Sequence, residues 1–212
     1  MKNDARLFVI SAPSGCGKGT VLGRVFADID VYYSVSCTTR KPREGEVDGV
    51  HYNFLTDGQF KAMIEEDGFL EYAEFVKHSY GTPKQPVLDS LAAGRDVVLE
   101  IETQGAFQIK EKMPEAVLIF ILAPSVREIR RRLYKRGTEE AEVIENRVAK
   151  AAEEIAKAFN YDYVVMNDDL EQAVADFEAV YRAAKSGDGS ADRFKSDSEE
   201  TIKLINEVLE NA

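Results

Sequence analysis

The most informative segment of the chain is Ser11-Ala-Pro-Ser-Gly-Cys-Gly-Lys-Gly-Thr20, which follows the apolar run Leu7–Ile10. An apolar strand, a glycine-rich turn and a helix, in that order, are what a phosphate-binding loop requires. Gly15 and Gly17 let backbone N–H groups converge on phosphate oxygens, and the helix adds the positive end of its dipole. Lys18 adds a mobile positive charge. The segment therefore predicts a nucleotide site rather than an ordinary turn with a surface lysine.

The loop departs from the strict pattern G-x-x-x-x-G-K-[ST] at two positions. Ala12 stands at the first glycine position, and Gly19 follows the lysine, so the hydroxyl group comes one residue later at Thr20. We assign Thr20 to the Mg²⁺ that accompanies a nucleotide, directly or through water. The predicted nucleotide-binding residues are Ala12, Pro13, Ser14, Gly15, Cys16, Gly17, Lys18, Gly19 and Thr20.

Length and composition indicate either one domain or one domain with a mobile insertion. The chain has 212 residues, and its 44% hydrophobic content is enough for a sizeable core. A net charge of −11 argues against non-specific binding to nucleic acid or to an anionic membrane. A phosphate ligand must therefore be held by a local cluster of cations.

The number of cysteines and the N-terminal sequence indicate the cellular compartment in which the protein works. Cys16 and Cys37 are too few for a disulfide framework, and we interpret each as a packing residue in a reducing compartment. Met1–Asp4 leads directly into the first strand, and no apolar stretch approaches the roughly 20 residues of a membrane span. We expect a cytoplasmic protein that binds neither membrane nor nucleic acid.

Short apolar runs without polar alternation predict strands that are buried on both faces of a parallel sheet. These runs are Leu7–Ile10, Val97–Ile101, Val117–Leu122 and Tyr163–Met166. Segments with helical boundary signals lie between or after them, at 103–113, 125–137, 139–159 and 170–184. Alternation of strands and helices predicts an α/β fold in which helices flank the sheet.

The region between the first helix and Val97 has shorter runs, in which polar and apolar residues are mixed. Three short mixed runs have β character, and these are Val31–Val35, Val50–Phe54 and Leu70–Phe75. Thr56 with Gln59 predicts the start of one helix, and Pro83 opens a second. We interpret the region as a small α+β insertion that moves over a nucleotide site.

The C-terminal segment changes character again. Residues 185–192 are rich in glycine and small polar residues, as in a linker. A short amphipathic helix is predicted next by Ile202, Ile205, Val208 and Leu209, which recur near helical spacing. We expect this stripe to pack on the chain's own core or on a second copy in a homo-oligomer.

A phosphate loop alone predicts only that a nucleotide binds. A second cluster of cations and hydroxyl groups lies at Ser36-Cys-Thr-Thr-Arg-Lys-Pro-Arg43, followed by Glu44-Gly-Glu-Val-Asp-Gly-Val-His-Tyr52. Arginine forks beside hydroxyl groups suit a phosphate dianion, but a solvated basic turn has the same composition. This stretch by itself leaves both interpretations open.

Together these motifs resemble guanylate kinase in its bacterial form, over nearly the whole chain to about Ala184. The resemblance rests on Ser11–Thr20, Ser34–Arg40, Gly45–Tyr52, Phe69–Glu74, Tyr80–Pro83, Leu99–Ala106, Arg131–Thr138 and Val165–Asp169. Several motifs in the right order are far more specific than any one of them. The resemblance implies a P-loop NTPase-type parallel sheet, and transfer of the γ-phosphoryl group of ATP to GMP, which gives ADP and GDP.

The resemblance also implies a division of the chain. Residues 1–184 form the kinase-like domain, and 185–212 are a linker with a short helix. Within the domain, the GMP-binding insertion is 34–94 and the helical lid is 125–159. The core comprises 1–33, 95–124 and 160–184.

Matched to the family's motifs, two groups of acceptor-site residues follow. Those expected to hold GMP by its phosphate are Arg40, Arg43, Tyr52 and Tyr80, and Glu46 belongs to the same GMP-binding set. Those expected to read guanine are Ser36, Glu71, Thr82 and Glu100. Guanine presents N1–H and N2–H₂ as adjacent donors that a carboxylate accepts together, whereas adenine has an acceptor at N1. The role of Glu102, where the family commonly has aspartate, stays open.

On the donor side the resemblance marks four catalytic residues, Lys18, Arg132, Arg136 and Arg147, and one adenine contact, Asn167. Phosphoryl transfer depends on positioning and on stabilisation of charge. Lys18 is expected to hold the β- and γ-phosphates of ATP while the arginines close on the transferring group. Arg130 and Arg131 are expected at the surface.

Two other functions compete with this one. The first is a non-catalytic guanylate-kinase-like module that binds peptides. Such modules have degraded phosphate loops, so the intact Gly15–Lys18 segment argues against one. The second is a kinase for AMP or a sugar phosphate, which the carboxylates Glu71 and Glu100 argue against.

Overall fold

The computed structural model describes residues 4–75, 77–136 and 141–210, and it has the predicted α/β architecture. The strands are β1 (Leu7–Ser11), β2 (Tyr32–Tyr33), β3 (Cys37–Thr38), β4 (Asn53–Phe54), β5 (Phe69–Phe75), β6 (His78–Pro83), β7 (Val97–Glu100), β8 (Val117–Leu122) and β9 (Tyr163–Met166). The helices are α1 (Lys18–Val25), α2 (Asp57–Glu65), α3 (Lys84–Ala92), α4 (Thr103–Lys112), α5 (Val126–Arg136), α6 (Ala141–Ile155), α7 (Leu170–Ser186) and α8 (Glu199–Glu210). Short 3-10 helices lie at Ala156–Asn160 and Asp192–Phe194.

The larger sheet has the strand order β2-β7-β1-β8-β9. All four runs that were predicted as buried strands lie in it. Every residue of β1 is buried, and so is all of β8 after Val117. An apolar run without alternation is what burial of both faces requires, so these four predictions are confirmed.

The chain divides into two compact units, Met1–Val9 with Asp30–Ala116, and Ile10–Ile29 with Val117–Ala212. The first unit contains a smaller sheet with the order β4-β3-β6-β5. Its antiparallel β5–β6 pair places Glu71 opposite Thr82. Helix α2 begins at the predicted capping box, in which Thr56 accepts from the Gln59 amide and the Gln59 side chain accepts from the Thr56 amide. The finer division into core, insertion and lid stays a prediction.

In the second unit, β8 and β9 pair in parallel. Helix α5 begins after Ser125, whose hydroxyl oxygen accepts from the Glu128 amide at 3.0 Å, as its cap pattern predicts. The helix predicted over 139–159 is described from Ala141 and ends at Ile155, where a 3-10 turn continues the chain. Residues 137–140, with the predicted turn at Gly137, lie outside the described residues.

The first of the three mixed β runs belongs to the larger sheet rather than to the smaller one. Tyr32 and Tyr33 pair in parallel with Val97 and Val98 of β7. The backbone amide of Ser34 continues the ladder by donating to the carbonyl oxygen of Val98 at 3.0 Å. A mixed polar pattern is what a strand at the edge of a sheet allows, since one side of it meets solvent.

The chain that directly follows the predicted linker is held against the protein. Residues 185 and 186 of that linker belong to α7, and for residues 187–192 the linker stays a prediction. Ser196 donates its hydroxyl group to the Tyr161 carbonyl and its amide to the Asp162 carbonyl. Lys195 forms an antiparallel bridge with Tyr163, the first residue of the edge strand β9. Lys195 and Ser196 thus cover part of the exposed edge of the larger sheet.

The predicted C-terminal amphipathic helix is confirmed as α8, which packs on α6 and on both 3-10 helices of its own chain. Ile205 and Val208 are buried. Ile202 was predicted in the same stripe, but it is 38% exposed and lies off the buried face. Within the described residues, no helix has both the length and the apolar character needed to cross a membrane.

Candidate nucleotide-binding sites

The glycine-rich segment turns sharply between β1 and α1. Gly15 and Gly17 have φ angles of 88° and 82°, in the left-handed region that favours glycine. Gly17 caps α1, so Lys18 is the first residue of the helix. An anion at this turn meets the first amides of α1 and the positive end of its dipole. This is the geometry that the sequence predicts for a phosphate loop.

The carbonyl group of Cys16 joins two of the predicted donor-site residues. Asn167 Nδ2 donates to this oxygen at 2.6 Å, and Arg132 Nη1 donates to it at 3.3 Å. Arg132 Nη2 also donates to the carbonyl oxygen of Asn167 at 3.1 Å. A Cβ atom at Gly17 would lie 2.6 Å from Asn167 Nδ2, so the contact itself requires glycine there. One hydrogen-bonded cluster therefore ties the phosphate loop to α5 and to the end of β9.

Glu128 holds the guanidinium group of Arg132 in this cluster. Its Oε1 accepts from Arg132 Nε at 2.7 Å, and the same carboxylate accepts from Arg131. Hydrogen bonds from Arg131 and Arg132 lower the pKa of Glu128 to about 2, so it is ionised at neutral pH. Arg131 is 66% exposed, whereas Arg132 is 22% exposed. Arg130 is also exposed, so both arginines that were predicted at the surface lie there.

Arg147 reaches the phosphate loop from α6. Its Nη2 donates to the hydroxyl oxygen of Ser14. Further along the same helix, burial raises the pKa of Glu154, while nearby cations that include Lys18 and Arg147 act in the opposite direction. Arg136 is the last residue of α5, and its side chain lies outside what the structure describes. Arg132 of α5 and Arg147 of α6, two of the predicted catalytic arginines, thus both contact the phosphate loop.

A cavity of about 460 Å³ opens beside the loop. Its lining residues are Gly15, Gly17, Thr20, Arg132, Lys135, Asn167, Asp168 and Leu170. The thiol of Cys16 is buried, and burial raises its pKa to about 12, so it stays protonated and has the predicted packing role. In the part of the chain that the structure describes, no three His, Cys, Asp or Glu side chains are grouped as for a protein-only metal site.

In the first unit, Arg40 and Glu46 form a two-pronged ion pair. Arg40 Nη1 and Nη2 donate to the two carboxylate oxygens of Glu46, each at 2.9 Å. The backbone amide of Arg43 also donates to Glu46, at 2.7 Å. The Arg40 guanidinium, with help from the Arg43 amide, lowers the pKa of Glu46 to about 2. Glu46 therefore orders the loop that carries both arginines.

Two tyrosines border the Arg40 guanidinium. Its Cζ lies 5.4 Å from the ring centroid of Tyr52, and the rings of Tyr52 and Tyr80 are 6.0 Å apart at an angle of 67°. Burial raises the pKa of Tyr52, so its hydroxyl group is protonated at neutral pH. Arg40, Tyr52 and Tyr80 form one cluster of N–H and O–H donors, which suits an anion.

Glu71 is a buried carboxylate in the middle of the smaller sheet's edge strand. It is 4% exposed, and its Oε1 accepts from the Thr82 hydroxyl group at 2.6 Å. Burial raises the pKa of Glu71, and hydrogen bonds from Thr82 act in the opposite direction. Two of the residues predicted to read guanine are therefore in contact, and their role stays a prediction.

The remaining predicted acceptor residues have more varied surroundings. Glu100 Oε2 accepts from the Tyr33 hydroxyl group at 2.5 Å. Ser36 is half-buried, and its carbonyl oxygen accepts from the Asn53 amide at 2.8 Å. Glu102 is exposed as the residue that precedes α4. Glu100 thus lies beside a tyrosine of β2, a contact that the sequence does not signal.

Comparison with known proteins decides the family. A profile of the guanylate kinase family matches residues 4–184. The chain belongs to the guanylate kinase family. Guanylate kinase from Thermus thermophilus is 54% identical over 184 residues, which are 87% of this chain and 84% of that protein. The crystal structure of guanylate kinase from Anaplasma phagocytophilum has a TM-score of 0.70 and 33% identity, over 85% of this chain and 86% of that one.

The C-terminal segment of this guanylate kinase family member lies beyond the family profile. Guanylate kinase from Deinococcus radiodurans is 44% identical over 207 residues, which are 97% of this chain and 87% of that protein. Most of the segment that contains α8 therefore has a counterpart in at least one relative.

Sequence reasoning missed several residues that hold the site residues in place. The sequence pattern predicts only a helix-cap role for Glu128, although its spacing of four from Arg132 on one helix face also signals a contact between them. Gln108 and Lys112 of α4 donate to backbone carbonyls of β5 on either side of Glu71. No local pattern links α4 to β5, because these contacts depend on the tertiary fold.

Proposed function

We propose that this guanylate kinase family member transfers the γ-phosphoryl group of ATP to GMP, giving ADP and GDP. The observation that carries the proposal is the buried Glu71 carboxylate beside Thr82, in a chain whose other unit holds a phosphate loop. A buried carboxylate accepts together from N1–H and N2–H₂ of guanine, whereas adenine would direct a lone pair at it. Thr82 donates its hydroxyl proton to Glu71, so the hydroxyl group available for O6 is that of Ser36, and Glu100 completes the base-reading set.

The phosphate of GMP is assigned to the cluster of Arg40, Arg43, Tyr52 and Tyr80. Arginine forks and phenol groups are donors, and together they suit a dianion. Glu46 serves the same site through Arg40, because two anions repel and its carboxylate already engages the guanidinium group. Its ion pair holds Arg40 in a fixed orientation before the substrate arrives.

ATP is assigned to the phosphate loop, Ala12–Thr20, and to the cavity beside it, where Asn167 borders the adenine. Lys18 and the first amides of α1 hold the terminal phosphates. Arg132, Arg136 and Arg147 supply positive charge as negative charge spreads over the transferring phosphoryl group. Since Arg132 engages the carbonyls of Cys16 and Asn167, it exchanges a backbone partner when it engages the phosphoryl group.

Mg²⁺ is inferred to accompany ATP. Thr20 and Asp168 both line the donor cavity. A hydroxyl group and a carboxylate suit a cation that keeps several waters and nucleotide oxygens as ligands. When bound, Mg²⁺ neutralises charge on the phosphate oxygens. Thr20 would be its protein contact, directly or through water.

We also propose that the protein works in the cytoplasm, in purine nucleotide metabolism, with ATP and GMP as its partners. Cys16 and Cys37 are both buried and free, which suits a reducing compartment. The homo-oligomer remains a prediction that size measurement in solution would test.

A coupled assay of ADP formation tests the function directly. ATP is supplied with GMP, dGMP, AMP or UMP as the acceptor. We expect turnover with GMP to exceed turnover with AMP and UMP. Preference for AMP would contradict the guanine assignment, and no turnover with any acceptor, beside an active control kinase, would indicate a non-catalytic module.

A further inference from the structure

Gly105, the third residue of α4, lies directly against the carboxylate of Glu71. A Cβ atom at residue 105 would be 2.3 Å from Oε2 and 2.8 Å from Cδ of Glu71. Both distances are well inside van der Waals contact, so any side chain at 105 forces the carboxylate to move. Glu71 occupies its observed position only because residue 105 has no side chain.

The backbone on both sides of Glu71 is held by the same helix. Lys112 Nζ donates to the carbonyl oxygen of Leu70 at 2.5 Å, and Gln108 Nε2 donates to that of Tyr72 at 3.0 Å. The carbonyls of alternate strand residues face the same way, which here is the edge of the sheet covered by α4. Residues 105, 108 and 112 share one face of α4. These two hydrogen bonds therefore hold strand β5 against α4 on either side of Glu71.

The Glu71 carboxylate is restrained from the other strand as well. Thr82 of β6 donates its hydroxyl group to Oε1 at 2.6 Å. The carboxylate thus lies between a hydrogen bond from β6 and the bare backbone of Gly105. Gly105 is in the first turn of α4, where the positive end of the helix dipole opposes the rise in the pKa of Glu71 that burial causes. Only the ionised form accepts from both guanine donors.

We propose that Gly105 is a specificity-determining residue, whose missing side chain lets Glu71 take the position from which it reads guanine. The inference rests on the proposed function and deepens it. In this role Gly105 acts by positioning Glu71. A side chain at residue 105 displaces the carboxylate, and the enzyme then loses its preference for guanine while it keeps its donor site.

The test compares two alanine substitutions in helices of the same unit. Gly105→Ala places a methyl group on the Glu71 carboxylate, whereas Gly58→Ala in α2 meets open space. Alanine is a better helix former than glycine at both positions, so neither change weakens its helix. We expect Gly105→Ala to raise KM for GMP about 10- to 100-fold, the range for lost hydrogen bonds to a charged group. KM for ATP of Gly105→Ala should match the wild type. For Gly58→Ala, both KM for GMP and KM for ATP should match the wild type.

Inosine monophosphate, which lacks the N2 amino group, separates positioning of Glu71 from general damage. We expect the preference of the wild type for GMP over inosine monophosphate to shrink in Gly105→Ala. Unchanged preference, or an equal loss for GMP and ATP, would overturn the inference. Failure of the proposed function looks different, because the wild type itself would then not phosphorylate GMP.

Thermal unfolding of each variant shows whether it folds. If Gly105→Ala does not, the double variant Gly105→Ala/Glu71→Asp withdraws the carboxylate by one methylene group. Recovery of folding with weak GMP binding supports the inference. No recovery would show that residue 105 clashes elsewhere and would overturn it.

Discussion

The side-chain amide of Asn167 donates to the carbonyl oxygen of Cys16 across 2.6 Å, in a buried position at the end of β9. This bond fixes the middle of the phosphate loop from outside the loop. The bond also requires glycine at residue 17, directly after Cys16, because a Cβ atom there would collide with the Asn167 amide group. The shape of the donor site thus depends on a residue far along the chain from the loop.

Asn167→Asp replaces this donor with an acceptor of the same size. We expect KM for ATP to rise about 10- to 100-fold, because a buried carboxylate then faces a carbonyl oxygen. KM for GMP should stay the same. Asn160→Asp, at an exposed position, is the matched control. Steady-state kinetics with each substrate varied would measure both constants, and equal changes for ATP and GMP would contradict the assignment.

Arg132→Ala and Arg131→Ala remove two neighbouring arginines that share Glu128. Arg132 faces the phosphate loop, so we expect its loss to lower kcat on the order of 10³-fold. Arg131 is exposed, and its loss should leave kcat near the wild-type value. Single-turnover measurements under saturating ATP and GMP would report the chemical step. Equal single-turnover rates for the two variants would argue against a catalytic Arg132.

The ion pair of Glu46 with Arg40 predicts a pH-dependent contribution to stability. The pKa of Glu46 is lowered from its ordinary value near 4.5 to about 2, so the folded protein binds fewer protons than the unfolded chain between these values. The pair therefore stabilises the protein above about pH 4.5, and this stabilisation is lost as pH falls towards 2. We expect Glu46→Gln to lower the free energy of unfolding by about 1–3 kcal/mol at pH 7.

Urea denaturation between pH 7 and pH 3 measures this contribution. The difference between wild type and Glu46→Gln should shrink steadily below pH 4.5. Glu44→Gln, which changes an exposed carboxylate two residues away, controls for net charge. A difference that grows as pH falls would have the wrong sign for this ion pair.

Two isoleucines of α8 test how the C-terminal segment is attached. Ile205→Ala removes a fully buried side chain and should cost about 2–4 kcal/mol of unfolding free energy. Ile202→Ala removes one that is 38% exposed, and it should cost less than about 1 kcal/mol. Chemical denaturation of both variants would show this contrast. Equal, small effects would mean that α8 does not pack as described.

The elements whose signals lie within one short stretch of sequence could be predicted from that stretch alone. β8 and β9 have their predicted bounds, because an unbroken apolar run marks a strand buried on both faces. The Thr56–Gln59 capping box is likewise a contact between near neighbours in the chain. The phosphate loop was predictable because its glycines, lysine and helix start are contiguous.

The contacts that hold the predicted site residues in place could not be predicted from local sequence patterns. Gly105 meets Glu71, and Tyr33 meets Glu100, only after strands and helices from separate segments pack together. The bridge between Lys195 and Tyr163 was not predictable, because composition does not reveal that the edge of β9 is available to the chain that follows α7. A glycine inside the helical pattern of α4 was the one visible hint of a close approach.

Separate calorimetric titrations of GMP and ATP into wild type, Glu71→Ala and Glu74→Ala test the central claim most directly. Glu74 is an exposed carboxylate on the same strand and serves as the matched control. We predict that Glu71→Ala weakens GMP binding by at least about 100-fold, as expected for two hydrogen bonds lost to a buried charge. ATP binding, and the binding of both nucleotides by Glu74→Ala, should be unchanged. Undiminished GMP binding by Glu71→Ala, or equal weakening of GMP and ATP, would contradict a guanine-reading role for this carboxylate.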